Sequence, residues 1–130
     1  MKELFLYIWQ LPQNIIGLII IIFGGAKYKN GYWIIYSRNE KLFFGVSLGD
    51  YIIFCDKLEP IEIDLKHEQG HQKQSLCLGW LYLFVIGLPS FFGNIYDRIF
   101  HKDWDDIQRY YWYYNQPWEK WADENSEIIR

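Results

Sequence analysis

Three residues in the middle of the chain have the types and spacing of a metal-dependent hydrolase site. The segment His67-Glu68-Gln69-Gly70-His71 has the pattern H-E-x-x-H. Residues four apart share one face of a helix, so His67 and His71 can bind one cation together. Glu68 lies on the adjoining flank, where its carboxylate can reach a metal-bound water without being a ligand. The pattern predicts a zinc ion held by two imidazoles, with Glu68 as the catalytic base.

The alternative is that these residues form a solvated helix face that binds no metal. Gly70 bears on this choice, because glycine costs about 1 kcal/mol of helix propensity relative to alanine. Close approach of another backbone or of a ligand would explain a glycine here. We therefore expect something to pack tightly against Gly70.

A catalytic zinc ion needs a third protein ligand, and the C-terminal part of the chain offers one. Glu119 and Asp123 lie four positions apart in Trp118-Glu119-Lys120-Trp121-Ala122-Asp123, so they share a helix face. Glu119 is the predicted third ligand. Asp123 is predicted to accept a hydrogen bond from the free ring nitrogen of a ligand histidine. The alternative is that both belong to an acidic, solvated helix.

Other residues are weaker candidates. His101 could replace Glu119 as the third ligand or donate to the transition state, although a histidine beside Lys102 is more typical of a surface. A tyrosine of the tail could stabilise an oxyanion, or these side chains could pack in the core or at a membrane interface; they are Tyr110, Tyr111, Tyr113 and Tyr114. The strand Asp50–Cys55 could pair with an extended peptide substrate or be an ordinary sheet strand.

The two motifs together resemble the gluzincin metallopeptidases, in which H-E-x-x-H is followed by E-x-x-A-D. The resemblance is strongest to the membrane group that includes the CAAX prenyl endopeptidases and their bacterial heat-shock relatives. The chain is also similar, from Trp9 to Asp123, to small uncharacterised bacterial proteins that read H-E-x-G-H, Q-S, L-G-x-L-Y, G-x-P-S and P-W-E-x-x-A-D. The resemblance implies that His67, His71 and Glu119 are zinc ligands and that Glu68 is the base.

Length and composition limit the class of protein. The 130 residues suffice for a single domain over 1–130. A formal charge of −3 argues against nucleic acid as a partner, because a nucleic-acid binder needs a basic face. Cys55 and Cys77 show no metal-ligand spacing, so they are predicted to be free, buried thiols.

Charged residues are absent from two stretches of 23 residues, 4–26 and 74–96. As a helix, each would be about 34 Å long, compared with about 30 Å for the hydrocarbon core of a bilayer. Pro12 interrupts the first stretch, and the second is expected to break near Leu88 or Pro89. We expect membrane association by spanning, re-entrant or interfacial segments. The alternatives are buried core of a soluble, cytoplasmic domain or, for the first stretch, a signal peptide.

These patterns predict an α+β fold made of four parts. A hydrophobic segment at 4–26 precedes a small antiparallel sheet within 32–55, with strands at 31–36, 42–46 and 51–55 and a turn at 37–40. The segment 61–96 begins with a helix that starts within Ile61–Leu65 and continues through His71. The tail, 97–130, is predicted to form helices at Asp103–Tyr114 and from Pro117.

The predicted function is hydrolysis of peptide bonds in a peptide or protein substrate by a membrane-associated, Zn²⁺-dependent enzyme. Two alternatives from other classes stay open. In the first, zinc only fixes the tail to the H-E-x-x-H helix and catalyses nothing. In the second, the chain is a small membrane or interaction protein that binds no metal.

Overall fold

The computed structural model describes residues 2–37, 44–56 and 60–130. Over these residues the fold is α+β, as predicted, with six α-helices and a four-stranded sheet. The elements, in chain order, are α1 (Lys2–Trp9), α2 (Leu11–Gly24), β1 (Lys27–Lys29), β2 (Tyr32–Tyr36), β3 (Phe44–Leu48), β4 (Tyr51–Asp56), α3 (Glu62–Leu78), a 3₁₀ turn (Gly79–Leu81), a π-helical turn (Leu83–Gly87), α4 (Leu88–Phe100), α5 (Asp106–Tyr114) and α6 (Pro117–Asn125). Most of the predicted turn, 38–40, and residues 42–43 lie outside the described residues.

The sheet is mixed, so the prediction of an antiparallel sheet is wrong in one pairing. The strand order is β1-β2-β4-β3, and β2 pairs with β4 in parallel. β3 and β4 form the predicted kind of hairpin, with Leu48 opposite Tyr51 and a two-residue turn at Gly49 and Asp50. β1 was not predicted.

Hydrophobicity explains why β4 lies inside the sheet. Ile52, Ile53, Phe54 and Cys55 are all buried, and a continuous apolar run is typical of a strand covered on both faces. Ile52 and Phe54 pack with Tyr32 and Ile34 of β2 in a core against which Leu65 of α3 also packs. The sheet thereby fixes the first turns of α3, the helix that carries H-E-x-x-H.

The three helices predicted in the second half are present, but the one predicted at Asp103–Tyr114 begins later, at Asp106. α3 begins at Glu62, within the predicted window, and extends beyond His71 to Leu78. α5 begins after a capping box formed by Asp105 and Gln108, and α6 begins at Pro117. The break expected near Leu88 or Pro89 is wrong in position: α3 ends at Leu78, the path bends by 119° between Leu81 and Leu83, and it then continues without a bend through the π-helical turn into α4.

In the part of the chain that the structure describes, no single helix is long and apolar enough to cross a membrane. Two helix pairs have the length and composition of a span but are sharply bent. The first pair, α1 and α2, bends by 87°, and the second, Glu62–Leu81 with Leu83–Phe100, bends by 119°.

The bent segments bury polar residues and expose apolar ones. Gln13 and Asn14 of α2 are fully buried, whereas Ile22 and Phe23 of the same helix are 65% and 86% exposed. In α4 the only buried residue is Asp97. The exposed apolar residues of that helix are Leu88, Phe91, Phe92, Ile95, Tyr96, Ile99 and Phe100. This distribution is the reverse of that in a helix packed on a soluble core.

A polar network holds the two bent segments together. Gln13 Nε2 donates to Ser75 Oγ at 2.8 Å and to the Gly79 carbonyl at 2.9 Å, and Ser75 Oγ donates to Gln10 Oε1 at 2.6 Å. The indole of Trp9 donates to the Leu76 carbonyl, and that of Trp80 to the Ile8 carbonyl, each at 2.8 Å. The buried polar side chains are thus used for contact between segments.

Candidate metal centre

Side chains from α3 and α6 converge at one buried point. His67 Nε2 lies 2.8 Å from Glu119 Oε2, His71 Nε2 lies 2.9 Å from the same oxygen, and the two Nε2 atoms are 3.2 Å apart. His67 and His71 are each 4% exposed, and Glu119 is fully buried. The structure therefore brings together all three predicted ligand residues, in a group that could hold a metal ion.

The other ring nitrogens of the two histidines are held by hydrogen bonds that fix the tautomers. His67 Nδ1 lies 2.7 Å from Asp123 Oδ1, and His71 Nδ1 lies 2.6 Å from Gln74 Oε1. Gln74 Nε2 donates to the Trp118 carbonyl, so Gln74 Oε1 must accept from His71. In each neutral imidazole the proton is then on Nδ1 and the lone pair is on Nε2.

This assignment leaves three acceptors facing one another. The three are the Nε2 lone pairs of the two neutral imidazoles and one carboxylate oxygen, and they lie within about hydrogen-bond distance of one another. Because none of them carries a proton, they repel one another unless a metal cation or added protons lie between them. The pKa values point the same way. Burial opposes a charged imidazolium, but the hydrogen bonds to Asp123 and Glu119 outweigh burial and raise the pKa of His67 to about 10. The donor set, two nitrogens and one oxygen, suits Zn²⁺.

The second oxygen of Glu119 is also held. Ser90 Oγ donates a short hydrogen bond to Glu119 Oε1, and the Tyr113 hydroxyl lies 3.3 Å from Ser90 Oγ. Burial opposes ionisation of Glu119, but the hydrogen bonds to the two histidines hold its pKa well below the usual range. Glu119 is therefore a carboxylate whose orientation is fixed from α4.

Gly70 is the position at which α6 reaches α3. A Cβ atom at Gly70 would lie 2.0 Å from the Ala122 carbonyl oxygen and 2.7 Å from its carbon. The expected close approach of another backbone is therefore confirmed. Ala122 lies between Glu119 and Asp123 in sequence, so this contact brings both carboxylates to the histidines.

Glu68 lies beside the three converging side chains and lines a cavity of about 450 Å³. It is 7% exposed, and among the described residues its Oε2 has no hydrogen-bond partner. Burial raises the pKa of its carboxyl. A Cβ at Gly45 of β3 would lie 3.1 Å from Glu68 Oε1, so strand β3 forms the neighbouring wall.

His101 does not join this group, and the expectation of a surface histidine is wrong. It is 5% exposed, its Nδ1 lies 2.9 Å from Asp97 Oδ1, and its ring stacks on Trp104 with centroids 3.7 Å apart. Cys55 is buried as expected, but Cys77 is exposed, because it lies on the outward face of α3.

The tyrosines of the tail have different positions. Tyr110, Tyr113 and Tyr114 line the cavity with Glu68, whereas Tyr111 does not. The Tyr114 ring meets the His67 ring edge to face at 5.1 Å. The suggestion that Asp50–Cys55 accepts a substrate strand is wrong, because β4 is already paired on both edges, with β2 and β3.

Sequence reasoning missed three residues that orient the predicted ligands. Gln74 fixes His71, Ser90 fixes Glu119, and Arg130 binds Asp123 through Nε at 2.6 Å and Nη2 at 3.0 Å. Gln74 lies three residues after His71, so helical spacing could have indicated it. Ser90 is remote from Glu119 in sequence, and Arg130 follows Asp123 by seven residues but lies beyond the end of α6, so helical spacing connects neither of them to its partner.

Comparison of the chain with protein-family models, with curated proteins and with solved structures gives no match. The resemblance to gluzincins therefore rests on the two motifs and stays a prediction.

Proposed function

We propose that the protein is a membrane-associated, zinc-dependent metallopeptidase of the gluzincin type. The observation that supports it most is the convergence of His67 Nε2, His71 Nε2 and Glu119 Oε2 with all three lone pairs directed inward. Three protein ligands and an open position are typical of catalytic zinc sites. Of the three proposed ligands, His67 lines the adjacent cavity, as does Glu68, so the cavity approaches the site from that side.

The buried partners of the ligands fit a zinc site. Asp123 and Gln74 bind Nδ1 of His67 and His71, so that Nε2 is the ligand atom of each neutral imidazole, and Ser90 holds the other oxygen of Glu119. Such partners raise the basicity of ligands and fix their direction.

In the proposed reaction, bound zinc supplies a water of lowered pKa and polarises the scissile carbonyl. Glu68 accepts the proton of the attacking water at its unpartnered Oε2 and donates it to the leaving amine. Tyr113 lines the cavity, and its hydroxyl lies 3.3 Å from Ser90 Oγ, which is hydrogen-bonded to Glu119. We propose that the Tyr113 hydroxyl donates a hydrogen bond to the oxyanion that develops in the transition state.

The substrate that fits this cavity is an extended peptide. β3 is paired on one side only among the described strands, and it lies next to Glu68. A peptide added along the outer edge of β3 would pass Glu68 in the conformation that strand addition requires.

Membrane association is supported by the two uncharged stretches and by the exposed apolar residues of α2 and α4. A substrate in or beside a bilayer would then reach the cavity without leaving the membrane surface.

Zinc content and hydrolysis measured on the same preparations test the chemical part of this proposal. Protein purified without chelator should hold about one zinc per chain, and His71→Ala should hold none. Glu68→Gln should keep its zinc and lose at least about 100-fold in hydrolysis of a peptide library read by mass spectrometry. No zinc in the wild type would refute the proposal, and unchanged hydrolysis by Glu68→Gln would refute the assignment of the base.

The zinc-stapled, non-catalytic alternative is favoured by one observation, since the predicted ligands join α3 to α6 and are almost fully buried. It predicts bound zinc, a fall in melting temperature on chelation, and no peptide hydrolysis by wild type or Glu68→Gln.

A further inference from the structure

The exposed apolar surface is concentrated on two bent segments. We call residues 2–24 (α1 and α2) the first segment and residues 76–100 (the end of α3, both turns and α4) the second segment. Of 30 exposed large apolar side chains in the described residues, 22 belong to these segments. If each of these side chains exposes about 50 Å², their exposed apolar area together exceeds about 1,000 Å². The largest exposed apolar patch on a typical soluble monomer is about 300–600 Å².

Hydrocarbon is the environment that this surface fits. Gln10, Gln13 and Asn14 are buried and hydrogen-bonded, while the phenylalanines and most isoleucines of α1 and α2 are exposed, Ile21 being the buried exception. Water would favour the opposite arrangement. In lipid, polar side chains gain by turning toward one another, as they do here.

The charges around the surface complement phosphate headgroups. Lys2 lies at the start of the first segment, Lys27 just after its end, and Lys102 just after the end of the second segment. The indoles of Trp9 and Trp80 lie where the segments meet. If a second copy of the chain covered this surface, the cations of both copies would lie in the interface and repel one another. Anionic lipid headgroups would instead neutralise them.

Both ends of the first segment return to the same sheet. The Tyr7 hydroxyl in α1 lies 3.0 Å from that of Tyr51 in β4, and Lys27, three residues beyond α2, pairs with Ile34 of β2. The segment cannot carry one end across a bilayer without separating α1 from the sheet.

The second segment returns in the same way. It begins at the end of α3, the helix that carries Glu68, and Arg98 lies in its last turn. Because Glu68 and Arg98 line the same cavity, the end of the segment lies close to the helix from which it starts. The bend of 119° turns the second path back toward α3, and the bend of 87° turns the first path through about a right angle.

We infer that the two segments insert into one leaflet from one side of the membrane, and that neither crosses it. The sheet and the candidate metal centre then lie at headgroup level on that side. This inference rests on the membrane association proposed above and is independent of the zinc chemistry.

Flotation with vesicles tests the surface. The full chain, purified in mild detergent, is mixed with preformed vesicles of phosphatidylcholine and phosphatidylglycerol, and the detergent is removed. The wild type should float with the vesicles. Phe84→Glu/Phe91→Glu, at positions 70% and 59% exposed, should reduce the bound fraction by about tenfold or more, because charge in hydrocarbon is costly.

The matched control adds the same two charges outside both segments. Ile61→Glu/Ile107→Glu, at positions 64% and 68% exposed, should float like the wild type. Absence of flotation by the wild type would refute membrane association itself. Equal flotation of both double variants would refute the assigned surface, as would a detergent-free dimer that only Phe84→Glu/Phe91→Glu dissociates.

Labelling with a membrane-impermeant maleimide tests the one-sided topology. Lys2→Cys, Lys27→Cys and Lys102→Cys are made separately in a Cys77→Ser background, in which Cys55 stays buried. All three should label on intact vesicles as fully as after detergent is added. A spanning first segment would instead leave either Lys2→Cys or Lys27→Cys protected until detergent is added, and would overturn the inference while leaving flotation intact.

Discussion

The molecule contains the same three-residue arrangement twice. At the candidate metal centre, His67 Nδ1 lies beside Asp123, which is bound by Arg130. At the end of α4, His101 Nδ1 lies beside Asp97, which is bound by Arg109. The distances are similar, 2.7 Å and 2.9 Å from nitrogen to carboxylate. What differs is the surroundings of the second ring nitrogen.

At His67 the second nitrogen faces His71 and Glu119, whereas the His101 ring is covered by Trp104 and Trp112. An aspartate and an arginine orient an imidazole in both places, but among the described residues only the first place has further acceptors for a cation at Nε2. The histidine–aspartate pair therefore only positions the imidazole ring. Whether such a histidine can share a cation depends on the groups that face its Nε2.

No residue beside His101 corresponds to Glu119, and we expect removal of Glu119 to have the largest effect on zinc binding. Glu119→Ala should weaken zinc binding by more than about 100-fold, because it removes one of the three proposed ligands. This loss exceeds the roughly 10–100-fold expected for a residue that only orients a ligand. His101→Ala should keep the wild-type zinc content. Competition with a chromophoric chelator measures both affinities, and a loss of zinc by His101→Ala would show that the two arrangements are coupled.

A glycine substitution tests whether the approach of α6 to α3 makes the difference. Gly70→Ala places a methyl group 2.0 Å from the Ala122 oxygen, so we expect a loss of about 1–3 kcal/mol in unfolding free energy and weaker zinc binding. Gly93→Ala in α4 is the control. Its Cβ would have a nearest neighbour at 3.8 Å, and alanine should leave stability unchanged or raise it by up to about 1 kcal/mol. Equal stability of the two variants in thermal unfolding would contradict the close packing.

Removal of the two aspartates compares the arrangements directly. Asp123→Ala should reduce zinc affinity by about 10–100-fold, because His67 loses the acceptor that fixes its tautomer. Asp97→Ala should leave zinc affinity unchanged and lower only the thermal stability, since it leaves His101 and Arg109 without their shared partner. If both variants lose zinc equally, the effect is general destabilisation.

Local patterns predict the parts of the molecule that local forces determine. Spacing of four placed His67 with His71 and Glu119 with Asp123, and the structure brings these pairs together. Turn residues and β-branched runs located β2 and β4, but not their order in the sheet. The continuous apolar run at 52–55 was an available sign of a central strand.

Remote contacts could not be predicted in this way. Ser90 reaches Glu119 across 29 positions, and Arg130 reaches a carboxylate whose place is set by the fold of α6 onto α3. His101 resembled a surface residue because its neighbours in sequence are charged, yet Trp104 and Trp112 bury it. Burial of a polar side chain depends on tertiary neighbours, which local composition does not describe.

The smallest expected effect comes from the arginines, the outermost members of the two arrangements. Arg130 holds both oxygens of Asp123 and lies over the Tyr114 ring at 3.5 Å, but it does not touch His67. Arg130→Gln should therefore weaken zinc binding by less than about tenfold, below the range expected for Asp123→Ala. Arg109→Gln should have no effect on zinc, since Arg109 orients only the carboxylate beside His101. The same chelator competition measures both, and a loss by Arg130→Gln as large as that of Asp123→Ala would show that the arginine, rather than the fold of α6, directs Asp123 to His67.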